Sequence, residues 1–73
     1  MEKEYGYLIF CIETYRHDRK IPGSKVFAMF NEFGVSKFIL KHYDTLHSQS
    51  DDFVLGDIDD MLRSRGAIGA TNA

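Results

Sequence analysis

Two histidines and an aspartate in the middle of the chain are the first candidates for chemistry. His42, Asp44 and His47 lie close together in the sequence, and imidazole and carboxylate groups bind metals and transfer protons in many active sites. On a continuous helix, however, the two histidines point about 140° apart, because they are separated by five residues at 3.6 residues per turn. We therefore expect His47 to be structural, bonded either to a carbonyl at a helix end or to the carboxylate of Asp44.

A cluster of aspartates in the second half of the chain could bind a cation. It consists of Asp51, Asp52, Asp57, Asp59 and Asp60. A calcium-binding loop needs ligands at alternate positions and a distal glutamate, and this spacing does not occur here. Asp57 and Asp60 share a helical face, but two carboxylates make a weak metal site. The cluster favours a solvated acidic face that could bind a basic partner, so we predict no metal and no cofactor.

The single cysteine is the remaining candidate nucleophile. A reactive thiol needs a neighbouring base and a lowered pKa, whereas Cys11 lies in an apolar row, which predicts a buried, inert side chain. One cysteine and no signal peptide indicate the reducing cytoplasm. The longest apolar run, from Tyr7 to Ile12, is too short to span a membrane. With no catalytic constellation in view, we predict that the protein is not an enzyme.

The segment that would position the histidines has the periodicity of a helix. Its apolar row, at i, i+3, i+4, i+7, i+8 and i+11, is Val35, Phe38, Ile39, His42, Tyr43 and Leu46. We predict one helix within residues 33–49. Gly34 should end the preceding helix, and Ser36 on the wet face should cap the new one.

The end of this helix is predicted to be a structural motif. We expect fraying between Asp44 and His47, because a turn-like segment follows. Tyr43 and Leu46 should anchor the end in the core, while Asp44 and His47 satisfy backbone groups.

Two helices are predicted before this one. The first spans Tyr5 to about Arg19, and a strand over Tyr7 to Ile12 is the alternative because that window is β-prone. Its inner row would be Leu8, Cys11, Ile12, Tyr15 and Arg19, widened by Tyr5, Ile9 and Phe10. The second spans Lys25 to Phe33 after a capping Ser24. It should bury Val26, Phe27, Phe30 and Phe33.

A last helix is predicted from Asp52 to Arg65, capped by Ser50 or Asp51. Its inner row would be Val54, Ile58, Met61 and Leu62. The alternative is an extended segment at 53–55 with the helix beginning at Asp57, since a glycine in the first turn costs about 1 kcal/mol relative to alanine.

These elements predict an all-α fold, a small compact bundle of three to four short helices. It would form one domain over residues 1–65, followed by a flexible tail at 66–73. A chain of 73 residues with 44% hydrophobic residues should fold, but at this length only about 60% of the unfolded surface is buried, so stability is marginal without good packing or a partner.

The charge distribution disfavours nucleic acid as a ligand. The net charge is −2, and it divides into +2 over residues 1–43 and −4 over residues 44–73. A nucleic-acid-binding protein normally presents a basic field.

A DNA-binding helix-turn-helix is nevertheless the main alternative. Residues 34–41 resemble its turn and recognition helix, with Lys37 and Lys41 one turn apart on the exposed face. Against this reading, Phe30 is too large for the close helix crossing that the motif requires. The exposed face also holds no Arg, Asn or Gln to read base edges.

Several short segments have a recognisable pattern. They are Phe10 to Glu13 with Tyr15, then Gly23, Val26, Phe30 and Gly34-Val35, then Tyr43 to Gln49, and finally Val54 with Asp57-Ile58. Through them the chain resembles, over about residues 7 to 63, a family of small bacterial proteins known as domain of unknown function 3791. The resemblance supplies no catalytic residues. It implies a small companion encoded beside a larger protein, in some cases one similar to ADP-ribosyltransferases, as in toxin–antitoxin pairs.

We predict from these observations a non-enzymatic protein-interaction module that acts by occluding its partner, with the antitoxin-like or accessory role that the resemblance implies. The predicted partner-binding residues form an apolar centre with a charged rim. They are Tyr7, Phe10, Met29 and Leu40 in the centre, and Lys37, Lys41, Asp57 and Asp60 in the rim. A homodimer formed through the same patch is a further alternative.

Overall fold

The computed structural model describes residues 2–67, and this part of the chain is almost entirely helical. The helices are α1 Glu2–Arg19, α2 Gly23–Glu32, α3 Val35–Lys41, α4 Tyr43–Leu46 and α5 Asp51–Ser64. The predicted all-α bundle is confirmed, with four helices of seven or more residues and the single turn of α4. The alternative strand over residues 7–12 is wrong, since these residues lie inside α1.

The first helix is longer than its apolar row. α1 begins at Glu2 and not at Tyr5, which places acidic residues in its first turn, where the helix dipole favours them. It ends where Lys20 adopts a φ of 58°, and the amide of Ile21 donates to the carbonyl of Arg16 at 3.0 Å.

The second helix begins earlier than predicted, and Ser24 does not cap it. Pro22 occupies the N-cap position, and its carbonyl accepts hydrogen bonds from Lys25 and Val26 at 3.0 and 3.1 Å. The fixed φ of proline suits a residue at the start of a helix. α2 ends at Glu32, so Phe33 lies in the turn and not in the helix.

The turn between α2 and α3 confirms the predicted role of Gly34. This residue has a φ of 78°, a conformation that glycine adopts without strain. Gly34 itself occupies the N-cap position of α3, so the prediction that Ser36 caps this helix is wrong. Ser36 is buried instead, and its hydroxyl donates to the side-chain oxygen of Asn31 at 2.7 Å.

The third predicted helix is interrupted at His42. This residue has a φ of −108° and a ψ of 25°, outside the α-helical region, and it separates α3 from α4. Its amide still donates to Phe38 at 3.0 Å, and its carbonyl accepts from Leu46 at 2.9 Å. The apolar spacing continues across the break, which is why sequence periodicity alone predicted one helix.

The last helix has well-defined ends. The hydroxyl of Ser50 accepts from the amide of Phe53 at 3.2 Å, so Ser50 is the cap and residues 53–55 are helical, not extended. Gly66 ends the helix with a φ of 86°, and the amide of Ala67 donates to the carbonyl of Leu62 at 2.8 Å. This is a Schellman closure, so the first two residues of the predicted tail end the helix. Residues 68–73 lie outside the described residues.

The core forms where α1 packs against α2 and α3, and α3 against α5. Its buried apolar residues are Leu8, Cys11, Ile12, Tyr15, Val26, Phe30, Val35, Ile39, Leu46, Val54, Leu55, Ile58 and Leu62. Tyr15 meets the fully buried Phe30 edge to face, with ring centroids 5.5 Å apart. The Tyr15 hydroxyl also donates to Asp59 at 2.8 Å, and Arg19 binds the same carboxylate, which links α1 to α5.

The core prediction failed at one aromatic residue. Phe27 on α2 was expected inside, but 54% of it is exposed. Its neighbour Val26 and the next-turn Phe30 are fully buried, so the core uses one face of α2 and leaves Phe27 on its border.

Candidate functional site

The most apolar concave surface lies between α1, α2 and α3 and is termed the apolar groove. It has a volume of about 520 Å³ and is lined by Tyr5, Leu8, Ile9, Ile12, Phe27, Asn31, Ser36 and Leu40. Tyr5, Ile9 and Phe27 are each more than half exposed, at 52%, 60% and 54%. Large apolar side chains that leave this much surface in water, gathered around one concavity, are typical of a binding surface.

The floor of the apolar groove belongs to the core. Leu8 and Ile12 are buried beneath it, while the hydrogen bond from Ser36 to Asn31 satisfies the polar atoms at its α2–α3 side. The floor is therefore already packed, and what remains to be covered is the exposed rim of apolar side chains.

Two lysines on α3 lie next in sequence to residues that line the apolar groove. Lys37 and Lys41 are exposed on α3, and they directly follow Ser36 and Leu40, which line the groove. A ligand that covers the groove and extends over the exposed face of α3 would meet two ammonium groups one helical turn apart, an arrangement that favours an acidic edge on that ligand.

A second concavity, termed the aromatic groove, lies on the opposite flank of α1. It has a volume of about 480 Å³ and is lined by Lys3, Tyr7, Phe10, Tyr43, His47, Gln49 and Asp51. The ring of Tyr7 stacks on Phe10 at 6.0 Å and meets Tyr43 edge to face at 5.6 Å. The Tyr7 hydroxyl donates to the carbonyl of Leu46 at 3.2 Å. Tyr7 thus ties α1 to the end of α4, and its ring is already engaged within the fold.

The histidines and Asp44 do not form a common site. Nδ1 of His47 lies 2.9 Å from the carbonyl of Tyr43, and its ring stacks on that tyrosine at 4.4 Å. The ring of His42 contacts Phe38 at 4.7 Å instead, and Asp44 is exposed. This agrees with the interpretation of His47 as a structural residue that bonds a carbonyl at the end of a helix, with Leu46 buried beside it as the anchor.

The cysteine is buried, and its thiol is mostly protonated near neutral pH. Cys11 is 3% exposed, and burial is the main cause that raises the pKa of its thiol to about 11. Thiolate, the reactive form, is therefore scarce near neutral pH. Among residues 2–67, no group of three or more His, Cys, Asp or Glu side chains is arranged to hold a metal ion. None of the helices described here has the length and apolarity that crossing a bilayer requires.

The acidic residues of α5 divide between structural and solvated roles. Asp59 accepts from Tyr15 and Arg19 and so belongs to the packing of α1 against α5, which the prediction of a uniformly solvated face did not include. Asp60 is exposed and lies 3.3 Å from Arg63, and Asp57 is half-buried.

The predicted partner-binding residues are distributed over different surfaces. Leu40 lines the apolar groove, and Lys37 and Lys41 are exposed on α3. Tyr7 and Phe10 line the aromatic groove. Met29 is half-buried against the core. The centre of the apolar groove is formed instead by three residues that the prediction did not include, Tyr5, Ile9 and Phe27.

A signal for part of this surface was present in the sequence. Tyr5, Ile9 and Phe10 widen the apolar row of α1 beyond the arc that one packed face can bury. Phe27 gave no comparable signal, because its exposure depends on how α1 lies across α2.

The comparisons with known proteins identify one family. The model of the family described as "Protein of unknown function (DUF3791)" matches residues 6–65. Neither a curated protein nor a solved structure matches the chain.

Proposed function

Because the chain belongs to the DUF3791 family of proteins of unknown function, we propose a function from its surface: a non-enzymatic module that binds another protein through the apolar groove. The observation that carries the proposal is the exposure of Tyr5, Ile9 and Phe27 around one concavity. Aromatic residues that border a packed pocket are frequent hot spots of protein interfaces.

The partner that we propose is a larger protein encoded beside this chain, as in toxin–antitoxin pairs. Lys37 and Lys41 on α3 support a partner whose contact segment combines apolar residues with an acidic edge. Binding would cover the partner's own functional surface and inhibit it by occlusion. It would also stabilise this small domain by mass action.

We place the interaction in the bacterial cytoplasm. This proposal is supported by the single cysteine, which is free and buried, so the fold uses no disulfide that would need an oxidising compartment.

The test is co-expression of the chain with the product of its neighbouring gene, followed by affinity purification. Phe27→Ser should abolish recovery of the complex, because it removes one of the two exposed aromatic rings of the apolar groove. The matched control is Phe53→Ser on α5, since Phe53 is exposed to the same degree as Phe27, 53% against 54%, and does not line the apolar groove.

The possible outcomes distinguish the protein-binding proposal from the DNA-binding alternative. Loss of the complex in Phe27→Ser alone, with unchanged circular dichroism, supports the proposal. A wild-type chain that never co-purifies with its neighbour, or equal losses in both variants, contradicts it. Salt-sensitive retention of the free protein on DNA that disappears when Lys37 and Lys41 are both changed to Ala would instead support the helix-turn-helix alternative.

A further inference from the structure

The outer surface of α1 is apolar although it faces away from the core. Ile9 and Phe10 are 60% and 46% exposed, and Gly6 between them on the helix surface is exposed as well. These three residues are termed the outer ridge of α1. The opposite face of the same helix is buried through Leu8, Cys11, Ile12 and Tyr15. The first half of α1 is therefore apolar on its outer face as well as on its buried face, and an exposed apolar surface of this kind is often covered by a partner.

Gly6 has no role within the monomer. A Cβ atom at this position would meet nothing within 4 Å, and the glycines with positive φ among the described residues are Gly34 and Gly66. A glycine inside a helix destabilises it relative to alanine, so its presence here is unfavourable for the isolated chain. It leaves a notch in the ridge, next to the protruding side chain of Ile9, where another backbone or side chain can approach closely.

The ridge is complementary to itself. The midpoint of Gly6 and Ile9 along the helix lies between positions 7 and 8. The exposed charged residues at the two ends of the ridge, Lys3 and Glu13, have their midpoint at position 8. In an antiparallel pair of α1 helices related by a two-fold axis between positions 7 and 8, each Ile9 faces the other copy's Gly6. An axis half a residue further along brings each Lys3 alongside the other copy's Glu13, which is opposite in charge and also lies 2.9 Å from Arg16 of its own chain.

We propose that the occupant of the outer ridge is a second copy of this chain, bound through antiparallel α1 helices. The notch at Gly6 and the protruding side chain of Ile9 that would fill it both lie in the same short segment, as an interface between identical copies requires. Charge complementarity around an axis half a residue away agrees with this register. A different protein would have to supply its own protruding side chain to fill the notch and its own notch to receive Ile9.

The available apolar area is small for a dimer. Tyr5, Ile9 and Phe10 are each about half exposed, and half of a large side chain amounts to about 100 Å². On two copies these side chains amount to about 600 Å², half of the lower limit of specific interfaces, about 1,200 Å² in total, so flanking side chains must contribute the rest. The pairing is therefore expected to be weak and dependent on concentration.

This inference goes beyond the proposed function and can fail independently of it. The apolar groove also includes Phe27 and Leu40, on the side of α1 that faces α2 and α3, and it shares Tyr5 and Ile9 with the proposed dimer surface. Phe27→Ser should therefore leave self-association unchanged.

The test is sedimentation equilibrium of the full chain over a wide concentration range, with Gly6→Gln as the variant. Gln favours helix and fills the notch, so the dimer should weaken at least about tenfold while the denaturation midpoint of the dilute protein rises. The matched control is Gly56→Gln on α5, because a Cβ at Gly56 also meets nothing within 4 Å. This control should stabilise the helix in the same way and leave the dimer unchanged.

A crosslink tests the register. In a Cys11→Ser background, Lys3→Cys combined with Glu13→Cys should form a disulfide between copies when dissolved oxygen is supplied as the oxidant. Ten residues of helix separate the two positions, about 15 Å, which is too far for a bond within one chain. A wild-type chain that stays monomeric at all concentrations overturns the proposal. A dimer that Gly6→Gln leaves intact, or one that yields no crosslink, overturns the assigned interface.

Discussion

The helices α1 and α5 both supply one buried face to the core, but they differ on the opposite face. On α5 the buried residues are Val54, Leu55, Ile58 and Leu62, and the outward positions are mostly aspartate and arginine, with Phe53 as an exposed aromatic residue. On α1 the outward positions of the first half are Tyr5, Gly6, Ile9 and Phe10. Only α5 therefore has the polar outer face expected of a helix at the surface of a small domain.

The difference shows which helix retains an exposed apolar surface that could bind a partner. A surface helix needs one apolar face to fold, and further apolar residues on its outside add nothing to the core that the domain already has. The surplus on α1 borders both the apolar groove and the outer ridge, so both proposed interfaces use this helix. α5 in contrast is completed by intramolecular contacts, including the bonds from Tyr15 and Arg19 to Asp59.

The difference between α1 and α5 is tested most strongly by an isoleucine-to-alanine substitution on the outer face of one and the buried face of the other. Ile58→Ala on α5 should lower the free energy of unfolding by about 2–5 kcal/mol, because it opens a cavity at a fully buried position. Ile9→Ala on α1 should change it by less than about 0.5 kcal/mol, since the side chain is mostly in water. Urea denaturation followed by circular dichroism, on protein dilute enough to be monomeric, measures both. A large loss in Ile9→Ala would show that the outer face of α1 contributes to the core.

A smaller effect is expected at the link between the two helices. Burial, followed by the hydrogen bond to the Asp59 carboxylate, raises the pKa of Tyr15 to about 12 from an ordinary value of 10.0. As the pH rises, the unfolded chain releases this proton first, so the folded state retains more protons and stability falls. The contribution is fully present below pH 10 and is lost between about pH 10 and pH 12.

Tyr15→Phe provides the measurement of this link. It should cost about 1 kcal/mol at neutral pH, the usual value of a lost hydrogen bond, and make the alkaline decline of stability shallower. The decline should not vanish, because burial also raises the pKa of Tyr7. Urea titrations at intervals above pH 9 give the slopes, and identical slopes in the two proteins would show that Tyr15 is not shielded by the contact between α1 and α5.

The smallest effect is expected on the outer face of α5. Asp60 is exposed and lies 3.3 Å from Arg63, and exposed ion pairs of this kind contribute less than about 0.5 kcal/mol. Asp60→Asn should therefore leave the urea midpoint almost unchanged. A loss above about 1 kcal/mol would mean that this face makes contacts that matter, and the contrast with α1 would weaken.

Local features were predictable where a single residue decides the backbone. Gly34 ends α2 because the turn needs a positive φ, and Ser50 caps α5 because its hydroxyl reaches a free amide. The predictions failed where two local signals competed. Ser24 and Ser36 both have capping side chains, but Pro22 and Gly34 occupy the N-cap positions and place these serines inside the helices.

The candidate site was less predictable than the fold. Leu40 was predicted and lines the apolar groove, but Tyr7 and Phe10 line the aromatic groove on the other flank of α1. Periodicity states which residues share a face of one helix, and it contains no information on which faces of separate helices border the same groove.

The amino-acid sequence by itself determined the helical elements, the apolar rows that form the core, and the inert position of the cysteine, because these follow from spacing along one chain. Only the tertiary structure decided that His42 interrupts a continuous row, that Asp59 is bound by two residues of α1, and that Phe27 lies beside Tyr5 and Ile9. The physical reason is that a side chain is buried only where a second surface packs against it. A side chain is inside or outside only after the helices have taken their positions.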